Sequence, residues 1–233
     1  MGAISSIIED LADKAQDSEF GQYDPSANSI QNPAMPEGGR SLAEYEAIFN
    51  FDREELRDKI VLDLGAGPKV KLANELKDIC ARVVSISPDF SNPVHAIRAK
   101  ISTEDLKVRD NMVAAIGVRI PFPDQTFHAV FAMHCHIPFG PPTFVVTLAE
   151  MARILKKGGI GIIGPYYEIP HHPNLIKKLA KANPELMAIL QHYRVQLRAE
   201  AISPNIVPMA IVSDGEGDKA WEPSFNVVLR KSV

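Results

Sequence analysis

The sequence predicts an α/β protein with an open sheet and helices on both faces, and three observations carry that prediction. The run Ile60-Val61-Leu62-Asp63-Leu64-Gly65-Ala66-Gly67-Pro68-Lys69 delivers an apolar strand into a glycine turn, where the missing side chains let backbone amides approach a ligand closely. Five apolar strand segments alternate with segments of helical period between Ile60 and Ile163, the pattern of a parallel sheet wound with helices. Two further apolar segments, Ile206 to Val212 and Phe225 to Leu229, close the chain as a strand pair after a helical stretch.

With 233 residues and 45% hydrophobic content, the chain has enough material for one large core carrying an N-terminal extension. Its net charge of -4 gives no general attraction to phosphate backbones, which disfavours nucleic acid and leaves a small molecule or a protein as the expected partner. Only Cys80 and Cys135 are present, and no apolar run approaches the roughly 18 residues of a membrane span. No secretory signal is visible, so a soluble, reducing, cytoplasmic setting is expected. Met1-Gly2-Ala3-Ile4-Ser5-Ser6 fits the N-myristoylation pattern, but so short a pattern arises often by chance, and an ordinary helix start is the plainer account of it.

In order along the chain, Ile4, Ile7, Ile8, Leu11 and Ala15 recur at helical spacing and predict an amphipathic helix over the first sixteen residues, its apolar stripe buried against the domain. From Gln16 to Arg40 the composition turns polar and rich in Pro and Gly, with Phe20, Tyr23 and Met35 scattered through it. This reads as an irregular arm that packs on something else, so residues 1–40 form an extension and possess the makings of a lid, and 41–233 form the domain. Ser41 and Glu44 have the spacing of a capping box, in which each side chain satisfies the other residue's free amide at a helix start. A helix near 41–50 follows, then a short one from Asp52 to Asp58.

After the first strand and its turn, Leu72, Leu76 and Ile79 share one face of a helix over roughly 70–80, and Arg82 to Ile86 is the second strand. Together these make a parallel βαβ unit. Val94, Ile97 and Leu106 fall in helical segments, Met112 to Ile116 is the third strand and Ala129 to Met133 the fourth. Phe144, Leu148, Met151, Ala152 and Leu155 mark an amphipathic helix that Lys156-Lys157 and Gly158-Gly159 are expected to stop, with basic groups in the last turn and glycine beyond. Ile160 to Ile163 is the fifth strand, and helices are predicted over 173–181 and 184–200, separated by Pro184.

Three segments in this order resemble the class I S-adenosylmethionine-dependent methyltransferase family, with a methyltransferase type 11-like domain. They are Val61 to Pro68, Ile120-Pro121-Phe122-Pro123-Asp124-Gln125-Thr126-Phe127 with the strand that follows, and Leu148 to Gly159. The resemblance covers about residues 55–165 and, through the terminal strand pair, the end of the chain. It implies a Rossmann-like, doubly wound, seven-stranded, mostly parallel sheet whose last strand is antiparallel. It also implies S-adenosyl-L-methionine as the cofactor, held by Asp63, Gly65, Ala66, Gly67, Lys69, Ser87, Pro88 and Ile116.

Several of these positions depart from the family pattern. Lys69 replaces the third glycine, where its ammonium either pairs with the cofactor carboxylate or fills the cofactor's space. Ser87 stands where a carboxylate holds the ribose, and a serine cannot grip two hydroxyls as a carboxylate does. Asp89 either swings in as the ribose acid or caps the turn after Pro88. Ile116 stands where an acidic residue meets the adenine amino group, and His128 where an aspartate opens strand four.

Methyl transfer from a sulfonium needs mainly alignment of the acceptor and exclusion of water. His134 and His136 flank Cys135 just after strand four, at the carboxyl edge where open α/β sheets bind ligands, and are the candidate general bases for a small-molecule acceptor. Loop histidines bonded to backbone are the plainer account of the same residues. His171 and His172 lie on the same edge, but their spacing matches no known zinc pattern. Tyr166, Tyr167 and Glu168 line an acceptor pocket or simply pack, and Lys177, Lys178 and Lys181 form a solvated basic helix face. The departures also support a second reading, in which a methyltransferase-like domain without productive cofactor binding serves a protein partner.

Overall fold

The computed structural model describes residues 3–16, 40–67, 70–91, 108, 110–133, 142–166, 175–202 and 225–233. Helix α1 spans Ala3–Gln16 and α2 spans Leu42–Phe49, followed by a 3-10 turn at Arg53–Leu56. Strand β1 (Ile60–Leu64) leads to α3 (Lys71–Leu76) and β2 (Arg82–Ile86), with a second 3-10 turn at Pro88–Ser91. Then come β3 (Met112–Val113), β4 (Phe127–Met133), α4 (Pro142–Ile154), β5 (Leu155–Tyr166), α5 (Leu175–Ala182), α6 (Pro184–His192), β6 (Val195–Ala201) and β7 (Phe225–Lys231).

The strands form one seven-stranded sheet in the order β3-β2-β1-β4-β5-β7-β6. Its inner pairs are parallel, and β7 runs antiparallel to both β5 and β6. Alternation along each strand divides the core into two layers, as the period of two requires. Leu62, Leu64, Val84, Ile86, Val130 and Ala132 face α1, α4 and α6 on one side. Val61, Val83, Ala129, Phe131 and Met133 face α2 and α3 on the other. The apolar stripe of α1 lies on α4 and α6, with Ile8, Ala12 and Ala15 buried, as its spacing predicts. At α2, Ser41 accepts from the Glu44 amide and Glu44 accepts from the Ser41 amide, so the capping box forms in both directions.

Four elements differ from the sequence reading. The third strand is only Met112–Val113, and Ile116 instead makes an isolated antiparallel bridge with Arg119. Gly117 between them lies so close to Thr147 that a Cβ there would meet its Oγ1 at 3.1 Å, so the chain turns against α4 where a strand would have continued. Helix α3 stops at Leu76, short of the predicted end, and the Cys80 amide bonds back to the Leu76 carbonyl.

Helix α4 has Arg153 in its last turn but ends at Ile154, before the expected Lys156-Lys157 and Gly158-Gly159 stop, because Leu155 already pairs with Phe127 as the start of β5. Its free carbonyls are satisfied from elsewhere in the fold. The Gln125 and Thr126 amides donate to Arg153 and Ile154, and Lys231 Nζ donates to the Ala152 and Leu155 carbonyls at 3.1 and 2.7 Å.

The helix predicted over 184–200 breaks at Arg194, which has φ 56°, and Val195–Ala201 is strand β6. Val-Gln-Leu-Arg-Ala-Glu-Ala is built largely of good helix formers, yet it alternates with period two, and pairing with β7 decides the outcome. The strand predicted at Ile206 to Val212 lies outside the described residues.

Candidate active site

The chain winds from β1 outward through β2 to β3 and then returns to β4 on the other side of β1. The carboxyl ends of β1 and β4 therefore flank a topological switch point, the place where open α/β sheets leave a crevice for ligands. The turn after β1 occupies that place. Gly65 and Gly67 adopt φ of 79° and 67°, values that glycine accepts without strain. A Cβ built on Gly67 meets nothing within 4 Å, so open space adjoins the turn there. Val70 also has positive φ, at 42°, an uncommon state for a β-branched residue and one that stores roughly 1–2 kcal/mol of backbone strain.

Asp63 is 1% exposed at the end of β1. Burial pushes its carboxyl up to about 6, partly offset by the Tyr45 hydroxyl, which donates to Oδ1 at 2.7 Å, and by the charge of Arg40. Its register neighbours are Ser85 on β2 and Phe131 on β4. Ser85 Oγ is buried and has no hydrogen-bond partner among the described residues. Phe131 in turn stacks on Phe51, with centroids 4.8 Å apart, and touches Tyr45 and Phe49. A charged group is thus set in an otherwise aromatic and apolar floor beneath α2.

The amides of Gly65 and Ala66 point back into the fold and both donate to the Ile86 carbonyl, at 2.8 and 3.1 Å. Ser87 is 3% exposed, its amide donating to the Val113 carbonyl and its own carbonyl accepting from Phe90. Pro88, half-buried, starts the 3-10 turn beyond it. Ile116 packs with Ala12, Ala15, Val118 and Val146 beneath α1. Tyr166 stacks on Phe225 at 5.5 Å and meets Phe144 edge-on, so its ring is part of the packing on the α4 side. Lys69, His134, Cys135, His136, Tyr167, Glu168, His171, His172, the side chain of Asp89 and the arm with Phe20, Tyr23 and Met35 lie outside the described residues. Among the described residues no group of three or more His, Cys, Asp or Glu side chains is placed to hold a metal ion, and no helix is long and apolar enough to cross a membrane.

Tyr45 is the residue that sequence reasoning missed. Leu42, Tyr45 and Phe49 are the buried face of α2, and a tyrosine at a core position is itself a signal, because its hydroxyl needs a polar partner below the surface.

The two other segments carrying the resemblance meet on the opposite, amino edge. Glu150 accepts from the Ile120 amide at 2.8 Å, and Arg153 donates to the Ile120 and Phe122 carbonyls at 2.9 and 2.7 Å. Arg153 also pairs with Glu150 at 2.7 Å and with Asp124 at 3.1 Å, and Tyr193 donates to Asp124. This network pins the approach to β4 onto α4. His128 sits on the same edge, where Nδ1 accepts from the Ile60 amide at 3.0 Å. Burial, followed by the charges of Lys156 and Lys59, holds its imidazole below the usual histidine range, so it is a neutral acceptor joining β4 to β1.

Comparison with known proteins agrees with this geometry. Residues 62–163 match a family model described as a methyltransferase domain. No curated protein matches the sequence. Among solved structures, the N-methyltransferase NodS from Bradyrhizobium japonicum superposes with a TM-score of 0.50 at 11% identity, covering 82% of this chain and 95% of that one. The [4+2]-cyclase SpnF superposes with a TM-score of 0.51 at 15% identity, covering 82% and 79%. The matched stretch runs from β1 to β5 of a seven-stranded sheet with β7 antiparallel, so residues 62–163 are similar to a methyltransferase domain and the chain has the α/β fold of such proteins.

Proposed function

We propose that this protein is an S-adenosylmethionine-dependent methyltransferase acting on a small-molecule acceptor, in a cytoplasmic setting. Because a [4+2]-cyclase has a similar fold, the reaction is read from the site and not from the fold. The observation that supports it most is Asp63, a carboxylate buried at the root of a left-handed glycine turn at the switch point. Burying a charge there is unfavourable for folding alone, and such a group is the natural counterpart of a cationic amino group.

The amino-acid end of S-adenosylmethionine fits this surface. Asp63 offers charge and Gly67 offers space, and Lys69, two residues on in the sequence, is the candidate partner of the carboxylate. The ribose and adenine end fits less well, since Ser87 cannot grip two hydroxyls as a carboxylate does and Ile116 belongs to the packing under α1. When bound, the cofactor supplies an electrophilic methyl group on its sulfonium. The chain's task is then to align an acceptor and exclude water, with His134 or His136 as the base that takes an acceptor proton and the arm before residue 40 as the cover.

Titration calorimetry with S-adenosylmethionine and S-adenosylhomocysteine tests the reading. Micromolar binding that disappears on Gly67→Trp is expected, because the substitution fills the open space at the turn. No binding at millimolar cofactor overturns it.

One observation favours a second reading, a catalytically degenerate methyltransferase-like protein that binds or regulates a partner. The Gly65 and Ala66 amides, which the family turns toward the cofactor, are already bonded to the Ile86 carbonyl. Ser87→Asp supplies a second test: tighter cofactor binding puts position 87 at the ribose, whereas unchanged binding removes it from the cofactor site.

A further inference from the structure

Three polar contacts hold α2 across the carboxyl edge of the sheet. At its start the Leu42 amide donates to Glu75 of α3. At its middle the Tyr45 hydroxyl donates to Asp63 of β1 at 2.7 Å. At its end the Ile48 carbonyl accepts from Asn226 Nδ2 of β7 at 2.7 Å. Two of the three anchors bracket the glycine turn, Asp63 before it and Glu75 beyond it.

We propose that Tyr45 is a positioning residue for methyl transfer, its hydroxyl fixing the Asp63 carboxylate to receive the amino group of the cofactor. This rests on the methyltransferase reading above. The ring of Tyr45 is packed edge-on to Phe49 at 5.6 Å and beside Phe131 at 6.1 Å, contacts that a phenylalanine would make equally well. What the tyrosine adds is a donor, and that donor meets the Asp63 carboxylate.

The charge state of Asp63 depends on it. Among the described residues, Tyr45 from α2 and Arg40 from the segment before α2 are the titratable groups that bear on Asp63, and both hold its carboxyl down against burial. Its strand neighbours, Ser85 and Phe131, carry no charge. Only the ionised carboxylate attracts an ammonium group. Removing the hydroxyl leaves Asp63 protonated to higher pH, and cofactor binding then requires a more alkaline medium.

The test is calorimetry of S-adenosylhomocysteine with the full chain from about pH 5 to about pH 8, together with carbon NMR titration of the ligand-free Asp63 carboxyl. In the wild type, affinity should rise with pH through about 6. In Tyr45→Phe the midpoint of both titrations should move up by roughly half a unit or more, weakening binding several-fold near neutrality and little at the alkaline end. Fluorotyrosine at position 45, a stronger donor of the same shape, should move both midpoints down, and it remains informative where Tyr45→Phe fails to fold. A purely structural tyrosine would leave the midpoints unchanged or weaken binding equally at every pH, and either result overturns the proposal. Wild-type protein that binds no cofactor at any pH would sink the methyltransferase reading instead, while the NMR titration still reports whether Tyr45 governs Asp63.

Discussion

Replacing Asp63 by asparagine should stabilise the fold at neutral pH while removing cofactor binding. The carboxyl is raised from 3.8 to about 6 by burial. That is about two units, and at 1.36 kcal/mol per unit the ionised form disfavours the folded state by about 3 kcal/mol. Because the folded-state value lies above the unfolded one, the folded chain retains a proton that the unfolded chain has released. Stability from this group is therefore fully present below about pH 4, falls as pH rises towards 6, and stays low above that. Asparagine keeps a carbonyl oxygen for the Tyr45 hydroxyl and carries no charge, but its amide also needs a partner, which returns part of the gain. The expected result is a variant about 1–3 kcal/mol more stable than wild type near pH 8 and nearly equal to it near pH 4. Urea unfolding followed by far-ultraviolet circular dichroism across that range measures it, and the difference between the two proteins cancels the other titrating groups. A variant destabilised to the same extent at both ends of the range would refute the reasoning, because the effect of a buried charge must disappear when the charge does.

His128 should act with the opposite sign. Its folded-state value lies below the usual 6.5, so its contribution is present above that value and is lost as pH falls through the folded one. His128→Ala leaves the Ile60 amide without its acceptor and should cost about 1 kcal/mol at neutral pH, with less acid sensitivity than wild type in urea titrations. Arg153→Met should cost about 3–5 kcal/mol, read from the urea midpoint, because Glu150 would remain buried without its cation. Cofactor affinity of any folded fraction should be unchanged, since that network lies on the edge away from the glycine turn.

Where local period and chemistry agreed, the chain was legible. Ser41 and Glu44 announced α2, Ile4 to Ala15 announced α1, and the strand ending at Leu64 announced the turn with Gly65 and Gly67 in left-handed conformations. Legibility failed where a distant partner decides the local structure. Val195–Ala201 became a strand because β7 is beside it, and α4 needs no glycine stop because Lys231, 76 residues beyond Leu155, reaches its carbonyls. The site followed the same rule. Asp63 was visible as the acid before the turn, but its Tyr45 partner lies 18 residues away and no local pattern joins the two. Ile116 was placed by motif spacing, whereas its environment is set by α1 packing against α4.

The two edges of the sheet differ in how well their polar groups are satisfied, and that difference bears on where function resides. On the amino edge Arg153 and Glu150 are bonded at several points and Lys231 closes the end of α4. Even the histidine there is spent on a backbone amide. On the carboxyl edge Asp63 is held against its solvation preference, Ser85 Oγ is buried without a partner among the described residues, and Val70 sits in a backbone region that β-branched residues avoid. Folding alone favours none of these, and unsatisfied or strained groups persist where another demand maintains them. The family-bearing segments at 120–127 and 148–159 therefore report the fold, while the less regular stretch from Asp63 to Val70, roofed by Tyr45, is where the chemistry should be sought. A substitution scan would separate the two. Changes on the amino edge should move stability and leave ligand affinity alone, and relieving the strained groups around Asp63 should raise stability while binding is lost.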